Sequence, residues 1–278
     1  MEESRKLSFV EHLIELRRRL TISLVAVTIG MAIGWTLSTQ ALVIIQRPLS
    51  GHTYLTDLKQ VSYGWIKQEF PDFYSRYELD KDHGPAVRER KLNYSTPLEP
   101  FFIQIKISLI LGIILALPVV FYQLWLFVSP GLTRNERRYV IPFVTASTIS
   151  FCLGVFVFLT FIWPVIINFS LSYEESIAGL QSWFNLSAYV NFCLRLIFLF
   201  GFIFEMPVIA FLLARFGMIS GRFLASKRRY ALLASAIIAA FHADLITMFV
   251  VMFALYIMYE VSIWVAYLFA RKKEPAAT

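Results

Sequence analysis

The chain has 278 residues, of which 58% are hydrophobic and 16% are charged, whereas soluble domains average about half apolar and a quarter charged. Its apolar residues form runs of about 20, the length at which a helix crosses a ~30 Å hydrocarbon layer, and open β-sheets are excluded there because their edges would leave backbone groups unpaired in lipid. The net charge is +7, but Lys and Arg cluster at the ends of the apolar runs, as topology signals do, which argues against nucleic acid as a partner.

The N-terminal segment predicts an amphipathic helix that leads into the first span. Ser8-Phe9-Val10-Glu11 is a capping-box pattern, and apolar residues after it recur at helical spacing. We expect residues 1–19 to lie on the cytoplasmic membrane surface and span 1 to cover 20–37. No small-residue cleavage pattern follows this run, so the span is expected to remain in the mature protein.

The rest of the chain predicts five more spans. A polar stretch, 38–97, is expected to be a long extracytoplasmic loop. The final apolar run, 230–270, would be about 60 Å long as one helix, twice the membrane thickness, and must fold back at His242-Ala243-Asp244. The predicted spans after the first are 101–128, 134–163, 188–215 and the two short ones, 230–246 and 248–270.

Charge orients these spans. Five Lys and Arg precede span 1, three lie in 129–138, four in 217–229 and three at Arg271-Lys272-Lys273, whereas 164–187 contains none. Loops rich in Lys and Arg stay in the cytoplasm, and long loops translocate largely regardless of charge. The sequence therefore predicts one all-α integral membrane domain over 1–278, with six transmembrane helices and both termini inside.

Two acids at the cytoplasmic surface are candidates for binding a cationic ligand. Glu15 lies on the amphipathic helix and Glu136 in the first cytoplasmic loop, both among arginines. Each also has a structural alternative. Glu15 is spaced for an i,i+4 pair with Arg19, and Glu136 is the fourth residue of the capping box Thr133-Arg134-Asn135-Glu136.

Two more acids fall in or near predicted spans. Glu205 lies about ten residues from the cytoplasmic end of span 4, and ionisable residues at such depth are functional by default. Its alternative is a carboxyl kept protonated or paired internally, near Pro207. Asp244 is either a functional acid or a turn residue. No enzyme motif, metal-ligand spacing or cofactor site is apparent, so we expect neither catalysis nor a cofactor.

Several motifs occur along the chain and cover most of it outside 51–95. They are the segments His12–Leu20, Arg47–Leu49, Pro97–Phe102, Tyr122–Leu132, Asn135–Arg138, Phe204–Pro207 and Lys227–Tyr230. In this order the motifs resemble the TatC family, the multispanning core of the twin-arginine protein translocase.

The resemblance implies a concave bundle, with short spans 5 and 6, in the bacterial cytoplasmic (inner) membrane. It implies a multi-pass receptor for the twin-arginine signal peptides of folded cargo, acting in a multimeric complex with single-span TatA/TatB-like subunits and driven by the proton-motive force. By motif match Glu15 and Glu136 would face the paired arginines, with Arg17, Phe127 and Leu132 beside them. Pro48 would be a structural support, and Glu205 and Asp244 would be the intramembrane polar residues.

The chain departs from the family pattern at two places. Where the family commonly has Thr-Pro-Pro-Asp followed by a Gln four residues after the Asp, this chain has Phe241-His242-Ala243-Asp244 and then Met248. The long stretch 51–95 is the second departure. From residues alone, a proton-coupled secondary transporter using Glu205 remains the alternative function.

Overall fold

The structure is a computed structural model that describes residues 9–50, 91–128, 140–176, 183–241 and 244–269. Regular structure in these ranges is helical apart from one bridge pair, Asn93 with Asn185. The helices in chain order are α1 (Phe9–Gln46), α2 (Glu99–Val128), α3 (Val140–Val157), α4 (Trp163–Ser176), α5 (Leu186–Arg215), α6 (Gly221–Ser226), α7 (Arg228–Ala239) and α8 (Leu245–Phe269). A 3₁₀ turn, Arg47–Ser50, follows α1, and a π-helical turn, Phe158–Ile162, joins α3 to α4.

Five stretches of the described chain are long and apolar enough to cross a membrane, which confirms the prediction of an all-α membrane protein. The predicted span 230–246 corresponds to α7, which has only 12 residues and is not one of the five. The stretches are Glu11–Ser50, Glu99–Phe127, Val140–Leu171, Leu186–Arg215 and Leu245–Phe269.

The predicted surface helix and span 1 are one continuous helix, α1. It also extends nine residues beyond the predicted end of the span at Leu37, to Gln46. Polar residues marked that predicted end, but their hydroxyls bond to carbonyls of their own helix: Thr36 Oγ1 donates to Ile33 O and Ser38 Oγ to Trp35 O, both at 2.7 Å. Hydroxyls bonded in this way are compatible with a helix in lipid, because no polar group is left unpaired.

The helix predicted to end at residue 163 continues to Ser176 through the π-helical turn. Pro164 has no N–H to donate to the carbonyl of Thr160, four residues earlier, and its ring crowds that carbonyl. The backbone widens by one residue at this point, so that the N–H of Trp163 donates to Phe158 O. The proline thus changes the helix geometry without ending the helix.

The chain forms two compact units. The first unit comprises residues 1–38, 105–154 and 201–278, and the second unit comprises 39–104 and 155–200. The single membrane domain of the sequence analysis stays a prediction.

Close packing of α1 against α2 and of α7 against α8 characterises the first unit. At the α1–α2 crossing, a Cβ on Gly30 would lie 2.5 Å from Gly112 O, so the two backbones touch, as small residues allow in membrane helix pairs. The break between α7 and α8 covers the predicted fold-back, of which His242 and Ala243 lie outside the described residues. Arg228 Nη2 lies 2.8 Å from Glu260 Oε2 and links the two helices.

Aromatic residues form the core of the second unit. Phe158, Trp163 and Phe200 are fully buried, and the Phe158 and Phe200 rings stack with centroids 5.2 Å apart. A polar junction holds the start of α5 to the segment before α2: Leu186 N donates to Asn93 O at 2.7 Å, and Ser187 N to Glu99 Oε1 at 2.8 Å. The residues that follow the long stretch 51–90 are therefore fixed to the start of α5.

Candidate functional site

Glu15 lies on α1 and is paired with Arg19 of the next turn. Arg19 Nη2 is 2.8 Å from Glu15 Oε1, and the two side chains are 23% and 22% exposed. The spacing of four residues places both side chains on one face of the helix, with the acid nearer the N-terminus, which is the favourable order. The i,i+4 pair of Glu15 with Arg19, which was the structural alternative for this acid, is thus formed. The carboxylate is still accessible to solvent.

A buried glutamine on α2 anchors this ion pair. Arg19 Nη1 donates to Gln123 Oε1 at 3.2 Å, and Gln123 is only 8% exposed. Arg19 Nε is buried and has no hydrogen-bond partner in the described part of the chain. We call Glu15, Arg19 and Gln123 the Glu15 cluster. The sequence analysis assigned no role to Gln123, although an amide inside a long apolar helix is the signal that identifies it.

Phe127 of α2 contacts α1 one turn before Glu15, and its predicted place beside a bound arginine stays a prediction. Its ring stacks on the ring of His12, with centroids 4.4 Å apart and planes inclined by 26°. His12 is three residues before Glu15, so the stack and the carboxylate occupy neighbouring turns of α1. Arg17 does not join the cluster: its side chain is exposed and makes no ion pair among the described residues.

Two of the predicted binding residues, Glu136 and Leu132, lie outside the described residues. The distance between the carboxylates of Glu15 and Glu136 therefore stays a prediction. Simultaneous binding of two adjacent arginines by these two carboxylates depends on that distance.

Pro48 lies in the second unit, where it is buried with Leu49 in the 3₁₀ turn after α1. A proline has no N–H to offer to the carbonyl three residues earlier, that of Ile45. Trp163 Nε1 and Tyr189 OH donate to Ile45 O instead, each at 2.9 Å. Pro48 thus lies just after the end of α1, where two aromatic side chains hold the chain, and its supporting role stays a prediction.

Glu205 is a buried acid of α5 in the first unit. It is 5% exposed, and its Oε1 has no hydrogen-bond partner among the described residues. Ser147 of α3 interacts with the carboxyl, yet the Ser147 hydroxyl also lacks a hydrogen bond of good geometry. Nearby, Ser150 Oγ donates to Phe204 O at 2.6 Å. A buried carboxyl without a full set of partners is costly, and a functional role for Glu205 stays a prediction.

Asp244 has the geometry of a helix cap. Its Oδ1 accepts a hydrogen bond from Thr247 N at 2.7 Å at the start of α8, and the residue is exposed. A carboxylate at this position satisfies a free N–H and complements the helix dipole. The geometry therefore favours the alternative in which Asp244 is a turn residue. An intramembrane polar role for Asp244 stays a prediction.

These features define a multispanning α-helical membrane protein with a carboxylate–guanidinium–amide cluster between α1 and α2 and a buried acid on α5. No group of three or more His, Cys, Asp and Glu is placed to hold a metal ion within the described ranges. The accessible carboxylate of the Glu15 cluster can accept hydrogen bonds from a cationic group.

Comparison with known proteins identifies the family. A profile of the family described as Sec-independent protein translocase protein (TatC) matches residues 11–253. The protein of that description from Desulforapulum autotrophicum is 32% identical over 275 residues, which are 98% of this chain and 88% of the relative. The one from Aquifex aeolicus is 32% identical over 265 residues, which are 95% of this chain and 96% of the relative.

A solved structure has the same fold. A crystal structure of the twin arginine translocase receptor TatC superposes with a TM-score of 0.70 at 31% identity, and the match covers 94% of this chain and 100% of that one. The chain belongs to the TatC family. The resemblance inferred from the sequence motifs is thereby confirmed, and the alternative of a proton-coupled secondary transporter is not supported.

Proposed function

We propose that the chain is the signal-peptide receptor and core subunit of a twin-arginine translocase, which exports folded proteins across the bacterial cytoplasmic membrane. The observation that carries this proposal is the Glu15 cluster, in which a carboxylate about one-fifth exposed already pairs with a guanidinium. Membership of the TatC family and the solved structure of a related twin arginine translocase receptor support it.

The binding chemistry follows from the geometry of arginine. A carboxylate accepts two parallel N–H donors from one guanidinium, and such charge-assisted pairs are the strong hydrogen bonds of proteins. Lysine presents a point charge without this planar fork. Glu15 and Glu136 would each take one arginine of the leader, with Phe127 and Leu132 packing beside it and Arg17 at the rim.

The proposed topology has six spans with both termini in the cytoplasm. Helix α7 would be the additional span, and with 12 residues it is about 18 Å long. A helix this short crosses where the bilayer thins locally. Its basic start, Lys227-Arg228-Arg229, would lie in the cytoplasm according to the positive-inside rule.

The proposed partners are single-span TatA/TatB-like subunits within a multimeric complex, and the proposed energy source is the proton-motive force. Glu205 supports a partner contact because its carboxyl lies at membrane depth with an incomplete set of hydrogen bonds. A polar side chain of a docked helix would complete that set. Met248 stands where the family commonly has a glutamine, so this chain would dock its partners with one fewer polar contact.

Peptide binding tests the proposal. A fluorescent Arg-Arg signal peptide is titrated with the full-length chain in lipid nanodiscs, and its anisotropy is measured. We expect Glu15→Gln and Glu136→Gln each to weaken binding about tenfold or more, since a hydrogen bond to a charged group contributes ~1.5–3 kcal/mol. A Lys-Lys peptide is expected to bind the unmodified chain weakly.

The control removes an acid predicted to face the opposite side of the membrane. Glu174→Gln loses the same charge and is expected to leave peptide binding unchanged. Equal binding of the Arg-Arg peptide by the unmodified chain and by the Glu15→Gln/Glu136→Gln double variant would contradict the proposed site.

A further inference from the structure

We propose that Arg19 is a resident competitor for Glu15, which occupies the carboxylate in the free protein and must release it when an arginine of a signal peptide binds. The inference rests on the proposed function, because it concerns the affinity of that same site. It assigns to Arg19 a role in setting how tightly any leader binds.

The first step is that Arg19 makes the same kind of interaction with Glu15 as an arginine of the signal peptide would make. Arg19 Nη2 meets Glu15 Oε1 at 2.8 Å, which is the contact that an arginine of the leader would make. A bidentate pair with the leader needs both carboxylate oxygens, so Arg19 has to leave Oε1 before that pair can form. The free protein therefore holds its binding carboxylate in a partly occupied state.

The second step is that Arg19 has another place to bind. Its Nη1 donates to Gln123 Oε1 at 3.2 Å, and Gln123 is buried on α2. When Glu15 is released, this hydrogen bond keeps the guanidinium anchored to the first unit. A buried charged group without any partner is costly. The hydrogen bond to Gln123 therefore lowers the free-energy cost of breaking the Arg19–Glu15 ion pair.

The third step concerns the size of the effect. The Glu15 and Arg19 side chains are about one-fifth exposed, and i,i+4 pairs on helices are weak in water. Replacement of one guanidinium by another at the same carboxylate conserves the type of interaction. We therefore expect the competitor to weaken peptide binding by about two- to fivefold.

Competition has a recognisable thermodynamic signature. A competitor reduces the affinity of each ligand that cannot bind until the competitor leaves. An arginine of the signal peptide needs both carboxylate oxygens, whereas a lysine can pair with Glu15 Oε2 while Arg19 stays on Oε1. Removal of Arg19 should therefore strengthen Arg-Arg binding more than Lys-Lys binding. An Arg19 that merely positions Glu15 would do the opposite, since its removal would weaken Arg-Arg binding.

The experiment compares Arg19→Gln with Arg18→Gln in the full-length chain, using labelled Arg-Arg and Lys-Lys signal peptides and nanodiscs of fixed lipid composition. Arg18 is exposed and belongs to no ion pair among the described residues, so its removal deletes the same charge without freeing Glu15. We expect Arg19→Gln to bind the Arg-Arg peptide about two- to fivefold more tightly than Arg18→Gln does, with a smaller gain for the Lys-Lys peptide. If Arg19→Gln fails to fold, the Arg19→Met/Gln123→Leu variant replaces it, because it leaves no unpaired amide.

The Glu15→Gln background separates the inference from the proposed function. If Glu15→Gln alone leaves Arg-Arg binding unchanged, the proposed function of Glu15 and the inference both fail. If Glu15→Gln weakens binding but Arg19→Gln binds no more tightly than Arg18→Gln, only the inference fails. Competition further requires that Arg19→Gln has no effect in the Glu15→Gln background, and a persistent gain there would overturn it.

Discussion

The carbonyl of Ile45 accepts two hydrogen bonds, one from Trp163 Nε1 and one from Tyr189 OH, each 2.9 Å long. Both donors are buried, and Pro48, three residues on, offers no N–H to this carbonyl. Where water is excluded, a carbonyl without a donor carries the full cost of desolvation. Two donors on one acceptor mean that either bond alone keeps the carbonyl satisfied.

Removal of these donors is expected to be more than additive. Tyr189→Phe or Trp163→Phe alone should lower the free energy of unfolding by about 0.5–1.5 kcal/mol for the lost hydrogen bond, and the double variant should add about 1–3 kcal/mol for the unpaired carbonyl. Trp163→Phe also removes side-chain volume, but this loss occurs in the single and in the double variant, so its effect cancels in a double-mutant cycle. The measurement is thermal unfolding in detergent.

A matched control for this cycle is Tyr94→Phe, because Tyr94 is 62% exposed in the same unit. Its substitution should leave the melting temperature unchanged. Strict additivity of Tyr189→Phe and Trp163→Phe would contradict a shared role at Ile45.

At this scale the sequence identified acids but not their partners. Glu15 and Glu205 were found because a charge in or near an apolar helix is conspicuous. The pairing of Arg19 with Gln123 across 104 positions depends on which faces of α1 and α2 meet, and no local pattern contains that information. For the same reason the approach of Ser147 to Glu205 could not be predicted.

The elements were predicted well where hydropathy determines them and poorly at their ends. Five apolar helices follow from composition alone, since lipid forces backbone hydrogen bonds to be made within each span. The extension of α1 to Gln46 and the continuation of the third span past Pro164 were missed, because hydroxyls and a proline looked like end signals. Both are tolerated by local rearrangement of the helix backbone.

The α1–α2 crossing gives a prediction for a pair of helices. Gly30→Leu should lower the free energy of unfolding by about 1–3 kcal/mol through overpacking, since even a Cβ there would lie 2.5 Å from Gly112 O. Ala32→Leu adds a similar volume at an exposed position of the same helix and should be neutral. Thermal unfolding compares the two, and equal melting temperatures would be inconsistent with contact between these backbones.

At the scale of the whole molecule, the number of spans depends on α7. Five helices satisfy length and hydropathy, whereas α7 is short and basic at its start, so a chain with both termini inside requires α7 to cross a thinned bilayer. A helix of 12 residues is as compatible with the membrane surface as with a short crossing.

Cysteine labelling in spheroplasts tests whether α7 crosses the membrane. In a chain lacking Cys152 and Cys193, a cysteine at Ser226 should react with a membrane-impermeant maleimide only after lysis, whereas a cysteine at Phe241 should react in intact cells. Both positions are exposed. Reaction of both from the same side would rule out a crossing by α7 and reduce the count to five.

The polar junction of Asn93, Glu99 and the start of α5, together with the 3₁₀ turn that follows α1, has a consequence for insertions into this chain. Each border of the stretch 51–90 is held by hydrogen bonds, the first through Ile45 and the second through Asn93 and Glu99. Lengthening a connection twofold costs only ~0.6 kcal/mol of closure entropy. We therefore expect a reporter domain grafted into that stretch to leave both borders, and the N-terminal end of α1, in place.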